Sequence, residues 1–203
     1  MIESILFSQQ IKNRWHFEGE FRMFSRFCFL AILTFGLMFG LTAFLKVEAQ
    51  SGGTLVEDPD KKYTLNLPNA DWAAVKSTDG LGREQIEIVY KIREDGLLKI
   101  RRVDIEKGSK LIDAVNKDEG QTLTFLPGYT KGALEDFSAA GGKIPAIMKT
   151  YDFTQGGRPK MGRHYYLMVD DSTVYILRFT GNRGTMQALR SQTDVLARSF
   201  KVK

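Results

Sequence analysis

The sequence predicts an α+β fold, an antiparallel sheet with helices packed on its faces. Three observations point to it. Apolar residues recur at period two in short runs between Tyr63 and Thr180. Two late runs, Tyr165–Val169 and Val174–Leu177, are apolar on both parities, so both sheet faces need cover. Two other stretches, one central and one C-terminal, carry apolar residues at helical spacing. The order strands, helix, strands, helix suits helices laid on an antiparallel sheet.

Tyr63–Leu67 alternates and reads as a strand, ended by a turn at Pro68–Asp71. Trp72–Val75 begins a second short strand. Gln85–Ile92 is a third, with Ile86, Ile88, Tyr90 and Ile92 on one face and Glu87 and Lys91 on the other. Arg93–Gly96 makes the hairpin turn. Leu97–Ile105 returns, but its apolar phase shifts: Leu98 and Ile100 share one parity, Val103 and Ile105 the other. A β-bulge at Arg101–Arg102 restores a single face; the alternative is a strand apolar on both faces. Ser109 is expected to cap a helix bearing Leu111, Ile112 and Val115, extended toward Leu123 and weakened or ended by Gly120. Pro127–Gly128 breaks the chain, and Ala133–Ala139 forms a strand. Lys143–Phe153, His164–Val169 and Thr173–Thr180 follow as consecutive antiparallel strands, with a tight turn at Asp170–Ser172. The last helix starts near Asn182–Thr185 and aligns Met186, Leu189, Leu196 and Phe200. Phe200–Val202 closes the chain as a short strand.

Phe27–Leu45 contains nineteen residues without a charge, between Arg26 and Lys46. It has two readings. As a cleaved signal it has Arg22 and Arg26 before it and Val47 and Ala49 after it, which sets cleavage between Ala49 and Gln50. As an anchor, a helix of that length at ~1.5 Å per residue reaches ~28 Å, close to the ~30 Å hydrocarbon core. Lys12, Arg14, Arg22 and Arg26 precede the run, so either reading exports the chain from about residue 50, to the periplasm or cell envelope. The expected division is a mis-called extension over 1–22 with the true start at Met23, a signal peptide over 23–49, a linker over 50–62 and a domain over 63–203.

From Gln50 onward, about 154 residues remain, enough for one domain with its own core. The only cysteine, Cys28, precedes them, which excludes a disulfide, a thiolate nucleophile and a cysteine metal ligand in this part. Its net charge is +4 with the signs interspersed, which argues against nucleic acid. His164 is its only histidine. No nucleophile elbow, P-loop or calcium-loop spacing occurs, so neither a cofactor nor a catalytic residue is expected. Glu57, Asp58 and Asp60 read as linker acids, and Asp170–Asp171 as a turn. Trp72, Tyr165, Tyr166 and Tyr175 read as core aromatics rather than a ligand groove.

One stretch is basic, glycine-rich and free of acids: Gln155 to His164. It is expected to form a long hairpin loop, read first as a solvated tip whose charges protect the adjacent apolar strands. The alternative makes Arg158, Lys160, Arg163 and His164 a candidate contact for an anionic lipid surface, an acidic glycan or an envelope protein.

Tyr63-Thr-Leu-Asn-Leu-Pro68 with Trp72, Ala146–Tyr151 through Tyr175–Phe179, and the closing Ala197-Arg-Ser-Phe200 together resemble the PsbP-like family of exported bacterial proteins. The resemblance spans about residues 55–203 and implies an α/β/α sandwich. The photosystem II role of some members rests on additional segments not found in this chain, and is not carried over. The expected function is a non-catalytic binding or assembly module of the bacterial envelope. The alternatives are an envelope hydrolase working through carboxylates and a membrane-tethered structural domain.

Overall fold

Among the residues described by the computed structural model, 53–203 except 79, 81, 83, 93 and 94, ten strands and three α-helices form. The apolar run, the Met23 start and the Ala49–Gln50 junction lie outside the described residues. The elements are β1 (Leu55–Glu57), β2 (Tyr63–Asn66), β3 (Trp72–Thr78), β4 (Glu84–Tyr90) and β5 (Leu97–Asp104), then α1 (Leu111–Gln121). They continue with β6 (Thr130–Ala139), β7 (Ile144–Gln155), β8 (Arg158–Met168) and β9 (Thr173–Asn182), then α2 (Arg183–Ala188), α3 (Arg190–Arg198) and β10 (Lys201–Val202).

The main sheet has seven strands in the order β3-β4-β5-β9-β8-β7-β6, every neighbour antiparallel. The α+β expectation holds. Two meanders, β3–β5 and β6–β8, are joined by β9 between them. On one face lie α2, α3 and a small sheet ordered β1-β2-β10, with Tyr63, Leu65, Leu98, Tyr165, Leu177, Leu196 and Phe200 among the core residues there. On the other face α1 sets Ala114 and Val115 against Tyr166, Val174 and Ile176. Both faces of β8 and β9 are therefore covered, which is why those strands are apolar on both parities.

β5 settles the shifted phase. Its register with β9 runs without interruption from Leu97↔Thr180 to Asp104↔Thr173, so the expected bulge at Arg101–Arg102 is absent. Leu98 and Ile100 enter the large core, while Val103 packs with Ile105 beneath α1. A strand covered on both faces has no phase to restore. The register shift of this sheet lies instead in β6, between Lys131 and Leu134, where a bulge roughens an edge strand.

Three local expectations are corrected. Leu55–Glu57 is not linker: it pairs with β2, and Val56 is buried. Ser109 is not the cap of α1. Lys110 holds the cap position, and its backbone N–H donates to Asp113 Oδ2 at 3.1 Å. Ile92 lies beyond the end of β4 and is exposed.

The fourth correction bears on function. Residues 155–164 are not a long loop. β7 and β8 pair in unbroken register from Gln155↔Arg158 upward, and only Gly156 and Gly157 form the turn. Their φ values, 57° and 73°, are those a two-residue hairpin of type I′ needs at both positions, and glycine takes them without strain.

Candidate functional site

The hairpin distributes its four nominated side chains over different surroundings. Arg158 is exposed beside the turn. Lys160 lies 3.6 Å from Asp95 Oδ1. Arg163 is buried on the α3 side, where Nη2 donates to Asp194 at 2.7 Å and Nε to the Tyr165 hydroxyl at 2.6 Å. His164 is 1% exposed on the α1 side. Alternation along β8 separates Arg163 from His164, and neither can touch a partner. The four do not form one contact surface.

The pairing brings a different set together. Across the α1-facing side, Val75, Glu87, Lys99, Arg178, His164, Lys149 and Leu134 form one line perpendicular to the strands. Lys99 and Arg178 stand directly opposite one another, an arrangement that destabilises a sheet unless anions intervene. Three carboxylates do so. Glu87 pairs with Lys99 at 2.9 Å. Asp118 and Glu119, in the last turn of α1, descend onto the rest of the line. As adjacent residues they diverge by about 100° around the helix, so they reach different strands. Asp118 binds Arg178 and accepts the Tyr166 hydroxyl at 2.8 Å. Glu119 takes Lys149 and Lys131, each at 3.1 Å, and accepts the Tyr129 hydroxyl at 2.5 Å. Acids in a helix's last turn oppose its dipole; here the cation line offsets that cost and fixes where α1 lies.

His164 sits inside this network. Its Nε2 is 2.8 Å from the Tyr151 hydroxyl, and its Nδ1 is 3.7 Å from Asp118 Oδ2. Burial is the main cause holding its pKa at about 4, helped by the Arg178 and Lys149 charges, against the pull of Asp118. Burial pushes the Asp118 carboxyl up, but His164, Arg178 and Tyr166 outweigh it and hold it below the ordinary range. Glu119 is drawn down to about 2: burial opposes this, and Tyr129, Lys149 and Lys131 overcome it.

The pH response follows from these directions. A histidine depressed from 6.5 to about 4 leaves the unfolded chain binding more protons across that window, so stability falls as pH drops from about 6.5 to 4. The lowered carboxyls extend the loss as the pH falls further, toward 2. Urea midpoints measured from pH 8 to pH 3 should therefore decline first between 6.5 and 4, and His164→Gln should remove that first component. A wild-type midpoint flat across that window would contradict the assignment.

Two further regions remain open. Strands β3–β5 carry, on the α1-facing side, Val75 at 46% exposed and the exposed Lys99 and Arg101. At the end of the sheet, Asp95, Leu97, Phe153, Gln155, Lys160 and Thr180 line a shallow cleft of about 180 Å³. Among the described residues, no group of His, Asp and Glu is placed to hold a metal ion, and no helix is long and apolar enough to cross a membrane. The four core aromatics are where expected: Trp72, Tyr165, Tyr166 and Tyr175 are buried.

Sequence reading missed Asp118, Glu119, Tyr151 and Arg178 as partners of His164. One signal was present: two acids and no base in the last turn of a helix.

Solved structures place this architecture. LpqN of Mycobacterium tuberculosis, described as involved in cell envelope biogenesis, superposes with a TM-score of 0.55 at 15% identity, over 74% of this chain and 90% of its own. CyanoP, the cyanobacterial PsbP of Synechocystis, gives 0.54 at 14% identity, over 74% and 92%. The fold is PsbP-like. Neither a family model nor a curated protein matches the chain. The likeness is one of fold.

Proposed function

We propose that residues 53–203 act as a non-catalytic binding module of the bacterial cell envelope, which holds an acidic partner against the open half of its sheet. The observation that carries this reading is the uneven cover of one face. There α1 packs on β7–β9, whereas Val75, Lys99 and Arg101 on β3–β5 are exposed. On this half-face Val75 stands beside Glu87, the ion-pair partner of Lys99, with Arg101 further along β5. An exposed apolar residue near two cations and one acid suits a contact in which burial supplies affinity and the net charge selects the partner. The apolar segment over 27–45 supports export, and the likeness to a protein of cell envelope biogenesis supports the compartment. The hydrolase alternative has less support. Asp118 and Glu119 are buried and paired with cations, and the shallow cleft holds one carboxylate, Asp95.

The test is recovery of envelope proteins with the tagged full-length chain, before and after reversing both charges as Lys99→Glu and Arg101→Glu. An acidic protein recovered by the wild type should drop about tenfold or more with the double variant. Equal recovery would overturn the face assignment. A high-salt membrane wash that leaves all of the chain behind would favour the tethered alternative.

A further inference from the structure

We propose that the cleft at the end of the main sheet is a binding site for a neutral, polyhydroxylated ligand, the chemistry of a sugar ring. Its lining mixes donors and acceptors without net charge. Asp95 supplies a carboxylate, Lys160 an ammonium, Gln155 an amide and Thr180 a hydroxyl, and Phe153 is among the other lining residues. A sugar hydroxyl donates and accepts at one atom, which suits such a set. A ligand of single charge leaves either Asp95 or Lys160 opposed. An apolar ligand leaves the Lys160 ammonium and Asp95 Oδ2 without partners.

The state of Asp95 is the second observation. Its side chain is 11% exposed. Oδ1 accepts the backbone N–H of Asn182 at 2.8 Å, which ties the carboxylate to the end of β9. Oδ2 is shut off from solvent and no protein group donates to it. Lys160 stands 3.6 Å from Oδ1, too far for a hydrogen bond, so its ammonium lies over the carboxylate without closing on it. Oδ2 is closed to entering atoms as the side chains stand, so binding requires the ammonium to move aside; a hydroxyl then gives Oδ2 its donor and Lys160 an acceptor. The cleft volume, about 180 Å³, equals about six water volumes and admits one ring with its substituents rather than an extended chain.

The site uses none of the residues assigned to the protein partner, so the two readings fail separately. The test is titration of the ¹⁵N-labelled full-length protein with glucose, N-acetylglucosamine and maltose, with glycine and acetate as zwitterionic and anionic probes. Amide shifts of Gly96, Leu97, Gln155 and Gly181 should saturate with at least one sugar, at a dissociation constant on the order of millimolar. Asp95→Asn keeps an acceptor for Asn182 but removes the charge, and should weaken binding about five- to tenfold, the worth of one hydrogen bond. Gln155→Ala, an exposed change at the rim, should weaken it less while leaving the spectrum of the fold intact. No saturable shift with any sugar would overturn the proposal. So would glycine or acetate moving the same amides at equal concentration, since that assigns the cleft to charged ligands.

Discussion

Asp118→Ala is expected to destabilise the protein by about 3–5 kcal/mol, the usual cost of removing one partner from a buried ion pair. The alanine leaves Arg178 with no counter-ion beneath α1 and takes the acceptor from the Tyr166 hydroxyl. Arg178 already has a buried Nε–H without a partner, so it has no second contact to fall back on. Lys99 stands directly opposite on β5 and adds its repulsion. Thermal unfolding should move down by about 10 °C or more for a domain of this size. The double variant Asp118→Leu with Arg178→Met removes both charges and should recover much of the loss, because an apolar pair of similar volume avoids the unpaired ion. A loss below about 1 kcal/mol would show that Asp118 is not the counter-ion that seats α1.

Gly162→Ala should cost about 3 kcal/mol, although it adds a single methyl group. Gly162 lies directly opposite Tyr151, and the phenol ring of Tyr151 crosses the space where a Cβ would stand. The ring cannot yield cheaply. It is buried against Phe153 and Tyr129, and its hydroxyl meets His164 Nε2. Displacing it combines an overpacking cost of about 1–3 kcal/mol with a broken buried hydrogen bond. Pairing the change with Tyr151→Leu should make the two substitutions strongly non-additive, with the double variant better than the sum. Simple additivity in chemical denaturation would place the ring elsewhere.

The strands were legible wherever the cause of their form is local. Tyr63–Asn66 and Glu84–Tyr90 follow from alternation, and the hairpin at Asp170–Ser172 from a turn in which Asp170 accepts the Ser172 N–H. The errors arise where a distant partner decides. β1 has the composition of a linker, and only its pairing with β2 makes it a strand. Arg158, Lys160 and Arg163 look like a solvated loop tip because charge in a sequence signals solvent. Here Lys160 and Arg163 instead meet Asp95 and Asp194, which lie far away along the chain. His164 carried no sign of its surroundings for the same reason: Asp118 and Arg178 reach it through tertiary packing. The open half-face and the cleft depend on which strands α1 leaves uncovered, and no local pattern encodes that.

The position of β9 also governs when the molecule can become itself. Until Thr173–Asn182 is available, β3–β5 and β6–β8 are separate ribbons, each with an unpaired edge where β9 belongs. β2 likewise waits for Lys201 and Val202. Such late, long-range closure makes folding slow relative to chains built from neighbouring contacts. The main sheet is thus completed only once the final thirty or so residues of the chain are available, whatever has paired before them.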